Sequence, residues 1–128
     1  MREEGLDPMF KAKSQTDDQF ILACLKNHFV FYNLSETEVN NVRDYMWWTE
    51  MPMNTTIFRQ GEQGSCFFLI VAGVVEIIVD GNHVKTLKAG EGFGELALLY
   101  DIDRPSTVEV REDVSMWVID KISFREAV

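Results

Sequence analysis

The chain has 128 residues, 46% of them hydrophobic and 26% charged, which suits one soluble globular domain and is too short for two independent cores. A formal net charge of −9 excludes a general nucleic-acid binder, whose affinity comes mainly from Lys and Arg on phosphates. No apolar run approaches the length of a membrane span and "MREEGLDPMF" is not a secretory signal, so a cytoplasmic protein without direct membrane insertion is expected.

Residues 1–15 are polar, carry Gly5 and Pro8, and show no sustained periodicity, which predicts a linker or chain end. From Thr16 the pattern turns helical. Thr16 and Gln19 match a capping box, in which a hydroxyl and an acid or amide three residues on satisfy each other's backbone N–H groups. Phe20, Ile21, Cys24 and Leu25 then recur at helical spacing. In "SETE", Ser35 and Glu38 make a cleaner box, followed on one face by Val39, Val42 and Met46. These segments predict a helical lead-in over 16–48. Cys24 and Cys66 lack metal-ligand spacing and are expected to be reduced core residues. Trp47, Trp48 and Trp117, with Met46, Met51 and Met53, are expected to serve packing.

Past Glu50 the rhythm changes to short runs rich in Val, Ile, Thr and Phe: "TTIFRQ", "CFFLIVA", "VVEIIVD", "HVKTLK", "TVEVRE" and "VSMWVID". Asp80-Gly81 between two of them is a hairpin signal, because such turns need positive φ. Closely spaced short strands predict a mainly β fold with flanking helices, an antiparallel, jelly-roll-like barrel over 49–120. The final "KISFREAV", residues 121–128, reads as the start of a helix that the chain end truncates. His28 and His83 are isolated in sequence, so neither a metal nor a catalytic role is expected of them.

One segment interrupts the strands: "FGELALLYDIDRPSTVEV", from Phe93 to Val110. Gly94 permits close backbone approach to a ligand. A short helix starting near Glu95 would turn the amides of Leu96 and Ala97 outward toward an anion. Arg104 offers a planar, permanently charged fork for phosphate. Glu95 would repel phosphate but can accept a hydrogen bond from a sugar hydroxyl. Together these residues describe a site for a phosphorylated ribose.

"FGELALLY", followed by Arg104 and "STV", closely resembles the phosphate-binding cassette of cyclic-nucleotide-binding domains. "FRQGEQGSCFFLIVAGVVEIIV" is similar to the family's glycine-rich turn and following strand. "SMWVIDKISFREAV" and "LKNHFVFYNLSETEVNNVRDYM" resemble stretches of cyclic-nucleotide-dependent protein kinases, most nearly the first nucleotide domain of protozoan-type cGMP-dependent kinases. The resemblance covers residues 16–128 and implies one domain of the cyclic-nucleotide-binding fold with its cassette at 93–108. It implies a regulatory sensor that allosterically controls a serine/threonine kinase domain, in the same chain or in a separate subunit. The ligand would be cGMP, favoured over cAMP, with no cofactor, metal or catalytic residue of its own. Phe93, Gly94, Glu95, Leu96, Ala97, Arg104, Pro105, Ser106 and Thr107 are the implied nucleotide-binding residues, Glu95 taking the ribose 2′-OH and Arg104 the cyclic phosphate.

The sequence departs from the family pattern beside the arginine. Asp103 stands where proline is usual, and Pro105 where alanine or threonine is usual. The family's residue after the arginine commonly donates its N–H to the phosphate; proline has none, a loss on the order of 1–2 kcal/mol or about tenfold in affinity. Ser106, in place of a usual alanine, offers a hydroxyl in partial compensation. Two alternatives therefore stand beside the cGMP reading. One is a domain of a cAMP-dependent kinase regulatory subunit. The other is a degenerate domain that has kept the fold as an interaction module.

Overall fold

The computed structural model describes residues 8–128. Helix α1, Gln15–Leu25, is capped by Ser14, whose side chain accepts from the Asp17 amide while the Asp17 carboxylate accepts from the Ser14 N–H. The box thus sits two residues ahead of the Thr16–Gln19 pair expected from sequence, and the helix begins within the stretch read as linker. A serine three residues before an acid outcompetes a threonine three residues before an amide, because a charged acceptor makes the stronger bond to an amide. A 3₁₀ turn, Phe29–Phe31, leads to helix α2, Glu36–Tyr45, whose Ser35–Glu38 box forms as expected.

Strand β1, Trp47–Met51, follows directly, so both tryptophans that close the predicted lead-in lie in the sheet. Strand β2 is Thr56–Phe58, β3 is Cys66–Val79, β4 is Asn82–Leu87, β5 is Gly92–Phe93 and β6 is Thr107–Asp120. Helix α3, Lys121–Ala127, is capped by the Asp120 side chain, which accepts from the Ser123 amide. All pairings are antiparallel, in the order β1-β6-β3-β4, with β2 on β6 and β5 on β3.

Four runs read from sequence as separate strands are in fact two long ones. "CFFLIVA" and "VVEIIV" join through Gly73 into β3, and "TVEVRE" and "VSMWVID" join into β6. Gly73 marks a bulge rather than a turn: its φ is 96°, and the β3–β6 register shifts on both sides of it. A Cβ there would fall 2.3 Å from the Asp113 carbonyl oxygen, so only glycine lets the two strands stay paired through the bend.

The bend folds one half of the sheet over the other, and alternation along β3 shows how. Phe68 and Ile70 point into the barrel with Val75, Val108, Val110, Met116 and Val118. Phe67 and Leu69 point out, against Ile21, Leu25, Phe31, Val42 and Phe124 from the helices. With both faces covered, the run "CFFLI" is apolar throughout instead of alternating. Trp117 and Trp48 join the outer layer, ring centroids 4.9 Å apart and edge to face, and Met46 is buried beside them. Trp47 and Met51 pack against the inner core, whereas Met53, expected to pack, is 55% exposed. Cys24 and Cys66 are both buried.

Candidate functional site

The site grows from the end of β5. Gly94 adopts a left-handed conformation, φ 84° and ψ 11°, which turns the chain out of the sheet into a 3₁₀ turn, Glu95–Leu98. Of the two amides expected to face an anion, that of Ala97 donates instead to the Gly94 carbonyl at 3.2 Å. Ala97 and Leu98 anchor the turn in the core, while Glu95 is half-buried and Leu96 is exposed.

Arg104 returns beneath this turn. Although it lies on a loop, it is only 3% exposed. Its backbone N–H donates to the Glu62 carbonyl at 2.7 Å, and its own carbonyl accepts from the Gly61 N–H at 2.8 Å, clamping it to the β2–β3 turn. Nη2 donates to the Cys66 carbonyl at 3.0 Å, Nη1 makes a longer contact of 3.5 Å to the Gly94 carbonyl, and Cζ lies 3.9 Å from the centre of the Phe58 ring. The two carbonyl dipoles and the ring face orient the guanidinium from three directions.

A cavity of about 200 Å³ opens between turn and arginine, lined by Gly94, Glu95, Leu96, Ala97, Ile102, Asp103, Arg104 and Pro105. Six of the residues named from sequence thus converge on one space. The other three lie outside its lining. Phe93 is buried and stacks on Phe68, centroids 4.9 Å apart and planes 8° apart. Ser106 is half-buried, and the Thr107 hydroxyl accepts from the Gln60 N–H at 2.9 Å.

Several neighbours had no signal in the segment itself. Burial pushes the His28 imidazole below its ordinary pKa, against the opposing pull of the Glu95 carboxylate. Lys121, at the start of α3, donates to the Tyr100 carbonyl at 3.0 Å and pairs with Asp101, tying helix to cassette. That bond holds the Asp101 carboxyl below its usual pKa. His83, isolated in sequence, pairs with Glu76 on the neighbouring strand, and its other ring nitrogen lies 3.3 Å from the Thr86 hydroxyl.

The profile of the cyclic nucleotide-binding domain matches residues 48–128, which include every residue of this cavity. The chain belongs to the cyclic nucleotide-binding domain family. Among curated relatives of this domain, a cGMP-dependent protein kinase of Plasmodium berghei is 34% identical over 105 residues, 82% of this chain and 12% of the relative. The type II regulatory subunit of the Drosophila melanogaster cAMP-dependent protein kinase is 33% identical over 113 residues, 87% of this chain and 30% of the relative. The domain therefore spans less than a third of either. The regulatory domain of Toxoplasma gondii PKA, solved with cAMP, superposes with a TM-score of 0.80 at 28% identity over 91% of this chain and 46% of that one. The fold is the cyclic-nucleotide-binding one expected from sequence: an antiparallel β-sandwich with flanking helices.

Proposed function

We propose that this domain is a cytoplasmic sensor that binds a cyclic purine nucleotide and regulates a serine/threonine protein kinase. The kinase domain lies either in the same protein or in a partner subunit. One observation carries the reading: Arg104 and Glu95 line the same cavity, a buried guanidinium on one part of the wall and a half-buried carboxylate on another. A cyclic phosphate offers anionic oxygens to a guanidinium in a poorly solvated setting, and a ribose 2′-OH gives the carboxylate a hydrogen bond. The kinase context is supported by the two curated relatives, one a cGMP-dependent kinase and the other a cAMP-dependent regulatory subunit.

Within that class cGMP is favoured over cAMP, on the resemblance of "QGEQGSCFF" and "VKTL" to protozoan-type cGMP-dependent kinases. A specific observation favours a second reading, a domain that keeps the fold as an interaction module. Asp103 and Pro105 both line the cavity, the one repelling an anion and the other unable to donate to it. Calorimetry with cGMP, cAMP and 5′-GMP separates the readings. Heat with the cyclic nucleotides, weaker by about tenfold in Glu95→Gln, supports the sensor. Tighter binding of cAMP than cGMP would reverse the assigned preference. No heat with either cyclic nucleotide at high concentration leaves the interaction module.

A further inference from the structure

Gly64 lies in the turn between β2 and β3 with a backbone that any residue could adopt, yet a Cβ on it would fall 2.1 Å from Nε and 2.4 Å from Cζ of Arg104. Nothing in the local backbone requires glycine there. The requirement comes from a side chain 40 positions away in sequence. Phe58, at the end of β2 and 3% exposed, sets its ring centre 3.9 Å from the same Cζ. Its position is fixed by pairing with Val108 on β6, at the end of the cassette. We infer that Phe58 and Gly64 form a slot that fixes the plane of the Arg104 guanidinium, making both positioning residues for the anion site. The inference rests on the nucleotide reading above and extends it to residues outside the cassette.

The physical gain is preorganisation. A long arginine side chain loses rotamer freedom when it closes on a ligand, and that loss subtracts from affinity. Here the bare Cα of Gly64 admits the guanidinium, the Phe58 ring attracts its cationic face, and the Cys66 and Gly94 carbonyls hold its edge before any anion arrives. A phosphate meeting that fixed fork makes its bonds without first having to order it.

A double-mutant cycle tests the slot, because a residue acting only on general folding adds its effect independently of Arg104. Thermal midpoints without nucleotide are compared for Gly64→Ala and Phe58→Leu, each made with Arg104 present and in Arg104→Ala. The expected result is that Gly64→Ala lowers the midpoint by several degrees beside Arg104 and leaves it nearly unchanged in Arg104→Ala, where the space is empty. Phe58→Leu should likewise cost more with the arginine than without it. Calorimetry should show cyclic nucleotide binding weakened about tenfold or more by Gly64→Ala and severalfold by Phe58→Leu. Equal midpoint shifts in both backgrounds, or unchanged affinity in a folded Gly64→Ala, overturns the inference. If the unmutated protein binds no cyclic nucleotide, the nucleotide reading fails, and the anion role with it. The midpoint cycle then still reports whether the slot itself exists.

Discussion

Arg104 and Arg111 put the same side chain into two environments. Arg104 precedes β6, is almost wholly buried, and is held by carbonyl oxygens and a phenyl ring. Arg111 lies within β6, its side chain is 46% exposed, and it pairs with Glu76 and Glu109, Glu76 being shared with His83. At Arg111 the charge is met by carboxylates in contact with water, where screening leaves an ion pair little net effect. At Arg104 the guanidinium is taken almost wholly out of water. Enclosing a cation costs a fold more than enclosing a well-packed apolar residue.

Exchanging each arginine for alanine sharpens the contrast. Arg104→Ala should weaken cyclic nucleotide binding by about 100-fold or more, the scale of losing charge-assisted hydrogen bonds in a desolvated site, as read by calorimetry. A loss of less than about threefold would place Arg104 with Arg111, as a structural group. A smaller effect comes from acidification on the cassette side. The folded chain holds His28 below its ordinary pKa of 6.5, so the unfolded chain takes up a proton near that pH that the folded one refuses. Stability should therefore fall as pH drops from about 6.5 toward the lowered folded value, and thermal scans of His28→Gln should lose that part of the slope. Because Glu95 pulls the other way, a ligand that engages Glu95 should steepen the dependence. The smallest effect belongs to Arg111→Ala: a midpoint shift under about 2 °C that shrinks further in high salt.

What could be read in the sequence divides along the same contrast. The cassette is contiguous, so Gly94, Glu95 and Arg104 were visible together, and they converge on one cavity. The Phe58–Gly64 slot was not visible, because it exists only once β2 and its turn fold back onto the arginine. The burial of Arg104 was hidden for the same reason: it comes from the β2–β3 turn closing on a loop position through Gly61 and Glu62. Among the strands, apolar runs broken by glycine suggested turns, and only the 96° φ at Gly73 with its register shifts reveals one bent strand. At α1, Ser14 and Thr16 both stood three residues before a suitable acceptor, and strength of the acceptor decided between them.

Pro105 follows a residue whose amide and carbonyl are already committed to Glu62 and Gly61. Its ring fixes φ near about −65°, so the downstream exit of the cassette is stiff on two counts. Any hinge in this loop must lie upstream, at the left-handed joint of Gly94 or in the exposed stretch Tyr100–Asp103. Breathing of the site would then swing the carboxylate of Glu95 while the guanidinium stays put, a lopsided gate with its post on the arginine.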